Sequence, residues 1–305
     1  MVDIWNALFR AINSVTSKYD PLVSVLLERT DELNETIKKL QSKIVDLEYS
    51  RDYSYQGREL SEFTWKELNT IAKNGTASEN NIHIGDYKTI TMNGIELKMQ
   101  IAGIDTYYGT RSPIIGVLGH HIDFISKDCY PEEITWNSNG SNNGTQSERS
   151  PYRASEIYNT LNTTLYNFLP DEVKSVIIEK HSIYEDRHNS NETLSHSNGY
   201  SYGSLGKLWI PSEFEVFGAV VCGTPQYSSG QTVQYPLFSN SWMNRAKKGS
   251  GSSDESTLTW LLCTVYDGDA SSVCNVNDMG SLSYDGVDYP YYTTICFRIG
   301  QETKI

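Results

Sequence analysis

The sequence lacks the long apolar runs and paired cysteines that mark membrane-inserted or disulfide-stapled proteins. No stretch approaches the roughly 20 apolar residues of a bilayer-spanning helix. The N-terminal MVDIWNALFRAINSV has no basic leader before an apolar run, so we expect no secretory signal. The 5 cysteines form no CxxC pair, which predicts buried reduced thiols. We therefore expect assembly in a reducing cytoplasm.

Basic side chains are also in short supply, with 25 Lys and Arg against 38 Asp and Glu in 305 residues. The resulting net charge of -13 repels phosphate backbones and anionic lipids, so we expect neither nucleic acid nor a membrane as partner. A GxSxG nucleophile elbow and a glycine-rich phosphate loop are missing as well. These absences predict that the protein is not an enzyme.

Residues 21–50 carry the clearest periodicity, with apolar residues spaced as the a and d positions of a coiled coil. Such a stripe is buried only when a partner helix covers it, so this segment predicts self-association. The alternative is a surface helix packed on its own domain. The predicted oligomerisation residues are Val23, Leu26, Thr30, Leu33, Ile37, Leu40, Ile44 and Leu47.

Residues 1–20 form another apolar stripe that ends at Asp20-Pro21, where Pro21 suits the start of the next helix. We interpret this segment as a short helix that docks the protein onto a larger assembly. The predicted docking residues are Ile4, Trp5, Leu8, Phe9 and Ile12.

The character changes after residue 50. Residues 51–80 form a polar linker and a short helix, opened by the capping box Thr64-Trp-Lys-Glu67 and ended by Asn74-Gly75. Within residues 81–305, alternating apolar and polar residues at 95–101 predict a strand with one buried face. Further helices are predicted from apolar residues on one face (Ile157, Leu161, Leu165 and Phe168) and after Pro170 (Val173, Val176 and Ile177). Together these elements predict an α+β domain.

The segment LWIPSEFEVFG at 208–218 raises two alternatives. In an extended strand, Glu213 and Glu215 would share a face and suit acid/base catalysis. Otherwise Ser212 and Glu213 cap a helix start, and the aromatic residues belong to the core. We favour the architectural alternative, with the fold framework Trp209, Phe214, Phe217 and Trp260.

Two further clusters invite a metal or ligand interpretation. His120 and His121 are adjacent and would point to opposite faces of a strand, so we predict structural histidines and no metal site. Asparagine and aspartate oxygens crowd residues 275–278, which is chemistry that calcium prefers, although the same residues also form an ordinary hairpin turn. We predict no cofactor, with calcium as the alternative. The predicted ligand-binding residues add loop tyrosines, which stack on sugars: Asn275, Asn277, Asp278, Tyr289, Tyr291 and Tyr292.

Four phrases, in order, resemble a domain family of gut bacteria and their phages. They are FTWKELNTIAKNG with IHIGDYKTI, YRASEIYNTLNTTLYNFLP, LWIPSEFEVFG, and TWLLCTV with SSVCNVNDMGSLS and TICFRIG. The resemblance covers about residues 62–300 and implies a fold similar to C-type lectins and formylglycine-generating sulfatase activators. The chain departs from the family pattern at Ile104–Tyr107, at Thr259–Cys263 and at its closing strand, where polar residues of relatives are missing. These losses weaken any inherited ligand or metal role.

The resemblance implies a phage virion protein, assembled in the host cytoplasm, in which a coiled-coil stalk carries a lectin-like domain. A head fibre or capsid decoration protein that adheres to host-surface or mucosal glycans is the preferred form. A trimer is favoured over a dimer, and capsid or tail proteins are the expected partners. The alternatives are a tail-associated receptor-binding lectin and a degenerate sulfatase-activator-like enzyme. The last would need a cysteine pair, for which Cys263 and Cys274 in neighbouring predicted strands are the candidates.

Overall fold

A computed structural model of the chain describes residues 57–109, 111–112, 116–224, 233–251 and 256–302, with scattered positions between 4 and 40. The chain divides into two compact units, residues 1–48 and residues 49–305. In the parts of the chain described, no helix is both long enough and apolar enough to cross a membrane.

The first unit is helical at every position that the structure describes. On this helical segment Leu33, Ile37 and Leu40 are 60%, 43% and 55% exposed, so the first unit does not itself bury this part of the apolar stripe. Thr30, Ile4, Leu8 and Phe9 are exposed too. The remaining predicted seam and docking residues lie outside the described residues: Val23, Leu26, Ile44, Leu47, Trp5 and Ile12. The coiled coil therefore stays a prediction.

The second unit is a mixed α+β domain, as the sequence predicts, and it contains two five-stranded sheets. The first sheet has the strand order β1-β2-β5-β14-β7, and all of its neighbouring strands are antiparallel. The late strand β14 therefore closes the sheet between two earlier strands. The bounds are β1 Tyr87–Met92, β2 Ile95–Ile104, β5 His121–Ser126, β7 Ile177–Ile178 and β14 Cys296–Gly300.

The second sheet has the order β12-β11-β10-β13-β6. Its pairs are antiparallel except for β10 and β13, which run parallel. Two separate hairpins, β3 with β4 and β8 with β9, complete the strands of the described residues. The bounds are β3 Arg111–Ser112, β4 Gly116–Val117, β6 Tyr130–Thr135, β8 His181–Asp186, β9 Gly199–Ser204, β10 Trp260–Val265, β11 Ser272–Val276, β12 Leu282–Gly286 and β13 Pro290–Thr293.

Helix α1, Trp65–Asn74, has the predicted boundaries. The side chains and backbones of Thr64 and Glu67 form the reciprocal capping box, and Gly75 ends the helix at φ 66° in the left-handed region. The Trp65 ring packs edge-on against Phe124 of β5, 5.3 Å away, and against Phe297 of β14, 5.5 Å away. The short helix of the 51–80 segment thus belongs to the core of the second unit.

The predicted helices after residue 150 are confirmed in outline. Short helices α2 Pro151–Ala154, α3 Glu156–Thr160 and α4 Tyr166–Phe168, with a π-helix at Leu161–Leu165, bury Ile157, Leu161 and Leu165. Helix α5, Asp171–Lys174, follows Pro170 and buries Val173. The prediction that α5 continues through Ile177 is wrong. This β-branched residue pairs with Ile299 and adds strand β7 to the edge of the first sheet.

Candidate functional site

The LWIPSEFEVFG segment forms helix α6, Glu213–Phe217, so its two glutamates are not on an extended strand. Ser212 caps this helix, because its hydroxyl accepts from the Glu215 amide at 3.2 Å while the Glu215 carboxylate accepts from the Ser212 amide at 2.9 Å. Trp209 and Trp260 are fully buried, whereas Phe214 and Phe217 are half-buried. The helix start predicted at Ser212 is present, although Phe214 and Phe217 are less buried than predicted, and the extended strand assumed for an acid/base pair is wrong.

Glu213 organises the loop that follows the helix. Its carboxylate, fully buried, accepts three backbone N–H groups, from Val221 at 2.6 Å, Cys222 at 2.9 Å and Gly223 at 2.8 Å. Hydrogen bonds to a charged acceptor are the stronger kind, so three of them offset the desolvation of one buried carboxylate. The side chain therefore shapes the 221–223 loop.

Glu215 forms the centre of a buried polar network. Its Oε1 pairs with the Lys180 ammonium and accepts from the Tyr107 hydroxyl at 2.6 Å. The side chains of Lys180 and Glu215 are only 1% and 3% exposed. The ammonium also donates to the Tyr235 hydroxyl at 3.2 Å and lies 5.0 Å from the centre of the Trp209 ring. Hydrogen bonds and aromatic faces thus surround this charge on several sides.

A second buried ion pair lies next to the first. Arg298 of β14 donates two hydrogen bonds to Asp123 of the neighbouring strand β5, at 2.6 and 2.8 Å. The guanidinium also lies 5.4 Å from the Tyr107 ring, so Tyr107 links the two pairs. Burial, the largest single influence, would raise the pKa of Asp123, but the charge and hydrogen bonds of Arg298 together with other nearby basic side chains lower it. Burial raises the pKa of Tyr107 well above its usual value.

The adjacent histidines have different surroundings. His121 is buried, its Nδ1 is 2.8 Å from the Gly119 carbonyl, and burial lowers its pKa to about 4, so the ring is neutral at pH 7. His120 instead contacts Asp105 through Nδ1 at 2.7 Å and stacks on Tyr108 at 4.0 Å. Each histidine has structural partners of its own. Among the described residues, no three His, Cys, Asp or Glu side chains are grouped as metal ligands.

A small pocket lies beside Glu215 and the hairpin of β8 and β9. Ser182, Tyr184, Glu185 and Cys263 contribute to its wall. It has room for about one water molecule. Because Glu213 and Glu215 are satisfied inside the fold and the adjoining space is this small, their geometry favours a structural role.

The turn that joins β11 to β12 explains two of the predicted ligand residues. The Asn277 side-chain oxygen accepts from the amides of Met279 at 3.0 Å and Ser281 at 2.9 Å. Asp278 is exposed in the same turn. The hairpin-turn alternative for this segment is therefore confirmed.

The other predicted ligand residues are dispersed. Asn275 is buried and donates to Asp285 at 2.9 Å. Burial and a hydrogen bond with Asp285 raise the pKa of Tyr291 to about 12. Tyr292 pairs with Trp260 across the parallel strands and is half-buried. Tyr289 is 61% exposed. The structure does not assemble all six into one site.

An exposed aromatic surface instead forms around β12. The rings of Tyr266 and Tyr284 stack with centroids 3.8 Å apart and planes 11° apart, and Tyr284 is 46% exposed. Gly286 lies two residues farther along the same strand, so it shares the face of Tyr284. A side-chain carbon added at Gly286 would come within 2.9 Å of the Tyr289 ring. Tyr266, Tyr284 and Tyr289 therefore form one surface, which we call the tyrosine platform.

Acidic and polar groups border the tyrosine platform. The Asp267 carboxylate, next to Tyr266, contacts the exposed ring of His196. The Asp288 carboxylate lies close to Gly286, because a side-chain carbon added to Gly286 would be 2.9 Å from Asp288 Oδ1. Flat aromatic faces with carboxylates at their edge can stack on a sugar ring and bind its hydroxyls. Tyr266 and Tyr284 were not predicted from the sequence, because only the strand register and the fold bring their rings together.

Comparison with known proteins identifies a family without identifying an activity. Residues 123–296 match the model of the family described as Domain of unknown function (DUF6273). The chain belongs to this family. The match spans more than half of the 305 residues. It includes Asp123, Lys180 and Glu215 of the buried network together with all three tyrosines of the tyrosine platform. No curated protein and no solved structure matches the chain.

Proposed function

We propose that this protein is a non-enzymatic phage virion component, either a head fibre or a capsid decoration protein. In this proposal the N-terminal helices join copies of the chain, preferably three, and attach them to the particle. The second unit is a lectin-like domain displayed outward. The exposure of Leu33, Ile37 and Leu40 carries the proposal, because an apolar stripe that its own unit leaves exposed gains stability when identical helices cover it.

The tyrosine platform is the surface through which the displayed domain would adhere to glycans. Tyr284 and Tyr289 offer open ring faces, and the acidic border suits neutral, hydroxyl-rich ligands better than anionic ones. This surface also supports the alternative of a tail-associated receptor-binding lectin, since it does not depend on where the chain attaches. A degenerate sulfatase-activator-like enzyme is the remaining alternative.

Light scattering after size-exclusion chromatography tests self-association. We expect the full chain to have the mass of an oligomer, and Leu33→Asp with Ile37→Asp to reduce it to one protomer, because two buried charges would remain unpaired in the seam. Lys39→Asp, which changes an exposed residue outside the seam, is the matched control and should leave the mass unchanged. A full chain that is monomeric at micromolar concentration contradicts the proposal.

A glycan array, probed with and without a chelator, tests adhesion. Tyr284→Ala and Tyr289→Ala should each weaken binding at least several-fold, whereas Tyr108→Ala should not, because this exposed tyrosine stacks on His120. Absence of binding in both conditions counts against a glycan ligand. Immunogold labelling of virions then distinguishes head from tail, and absence of label from the particles refutes a virion role.

A further inference from the structure

The chain contains five asparagine–glycine pairs, and they differ in how the fold holds them. An asparagine side chain that precedes glycine is open to attack by the glycine amide nitrogen, because glycine has no side chain to obstruct the approach. The pairs are Asn74-Gly75, Asn93-Gly94, Asn139-Gly140, Asn143-Gly144 and Asn198-Gly199.

Hydrogen bonds restrain four of these pairs. In three of them the glycine amide donates to a carbonyl: Gly75 to Ala72 at 3.1 Å, Gly140 to Asn137 at 3.2 Å and Gly144 to Arg187 at 2.6 Å. In the fourth, the Asn198 side-chain amide donates to the His188 carbonyl at 3.1 Å, and Gly199 lies in the ladder of β8 and β9. Each of these pairs must therefore break a hydrogen bond before the glycine nitrogen can reach the asparagine side chain.

The remaining pair, Asn93 and Gly94, forms the two-residue turn between β1 and β2, which the pairing of Met92 with Ile95 closes. Asn93 has φ 49° and Gly94 has φ 80°, the left-handed backbone of a type I′ turn. Both residues are exposed, and a side-chain carbon added at Gly94 would have no atom within 4 Å. Among the residues that the structure describes, no hydrogen bond holds the Asn93 side chain or the Gly94 amide. Of the five pairs, only this one has both reacting groups free.

We propose that Asn93 is a site of spontaneous deamidation, which converts it to a mixture of aspartate and isoaspartate. The Gly94 amide loses its proton, and its nitrogen attacks Asn93 Cγ. The bond from Cγ to the side-chain nitrogen breaks, ammonia leaves, and a five-membered succinimide ring forms. Water then opens the ring. Attack at Cγ gives aspartate, and attack at the main-chain carbonyl of residue 93 gives isoaspartate. This inference is independent of the proposed function.

Both products change the edge of the first sheet, since β1 is its outermost strand. Each product adds one negative charge at the tip of the hairpin. Isoaspartate also carries the backbone through one additional carbon, which a two-residue type I′ turn does not accommodate. Met92 is fully buried beside the turn, so it cannot shift freely to absorb the extra atom.

Incubation of the folded full chain in mildly alkaline buffer, followed by peptide mass spectrometry that separates aspartate from isoaspartate, tests the site. We expect conversion at Asn93 to be at least about tenfold faster than at any of the other four asparagines, because those pairs must first open locally. In the same chain unfolded by urea, this preference for Asn93 should disappear, since the protection of the other four pairs is lost.

Two variants provide the controls. Asn93→Asp should abolish the fast conversion and keep the turn, because Asp-Gly also favours type I′. Asn139→Asp, at another exposed asparagine before glycine, is the matched control and should leave the fast conversion unchanged. Three results would overturn the inference: faster conversion at another pair of the folded chain, a fast conversion that persists in Asn93→Asp, or a preference for Asn93 that persists in urea. The first and third are read from the wild type, so they do not depend on the folding of a variant.

Discussion

The buried pair of Glu215 and Lys180 offers the sharpest test of the architectural interpretation. Glu215→Gln keeps the shape of the side chain and removes its charge. The Lys180 ammonium then remains at 1% exposure without an ionic partner. In the wild type Glu215 Oε1 accepts from Lys180 and Tyr107, and Oε2 accepts from the Ser212 amide. The glutamine NH₂ must take the place of one of these oxygens, and it cannot accept the hydrogen bonds made there.

The expected loss follows from these contacts. Removing one partner of a buried ion pair destabilises a protein by about 3–5 kcal/mol, because it leaves an uncompensated charge. Lys180→Met should be milder, about 1–3 kcal/mol, since Glu215 keeps donors in Tyr107 and Ser212. The double variant should lose less than the sum of the single losses, with a coupling energy of about 1–3 kcal/mol.

Denaturant unfolding followed by tryptophan fluorescence measures the unfolding free energies of the wild type, the two single variants and the double variant. Glu133→Gln, at an exposed position on β6, is the control for loss of a carboxylate and should change stability by less than about 0.5 kcal/mol. If Glu215→Gln matches this control, or if the two single losses add without coupling, the network does not stabilise the fold and the architectural reasoning fails.

Three further predictions concern stability. Burial lowers the pKa of Lys247 from 10.5 to about 8, so between these pH values the unfolded chain binds the proton that the folded chain has lost, and stability rises with pH. The difference in unfolding free energy between wild type and Lys247→Met should therefore increase by about 3 kcal/mol from pH 8 to 10.5. Denaturant titrations at a series of pH values measure this difference, and a difference that stays constant would disprove the prediction. Thr64→Ala removes the α1 cap and should lower the unfolding free energy by about 1 kcal/mol. Thr70→Ala, at an exposed position of the same helix, is the control for a threonine outside the cap. Equal losses in the two variants contradict a capping role. Gly75→Ala should destabilise by more than 1 kcal/mol in thermal unfolding, because Gly75 has φ 66° and an added carbon would lie 2.6 Å from the His120 ring; an unchanged melting temperature contradicts this.

Local patterns in the sequence predicted the elements whose causes are local. The Thr64 and Glu67 capping box, the alternation on β2 and the apolar face of Ile157, Leu161 and Leu165 each depend on residues a few positions apart. The end of α5 was not predictable in this way. Ile177 leaves the helix because β14, more than a hundred residues later, pairs with it.

The sequence by itself determined the α+β class, the capped start of α6 and the regular apolar stripe of the N-terminal segment. Only the tertiary structure decided what the polar groups contact. Lys180 meets Glu215 across 35 residues, and Tyr266 stacks on Tyr284. These partners depend on strand register and loop packing, which are determined by many weak contacts across the whole domain. The local spacing of residues in the sequence therefore does not encode them.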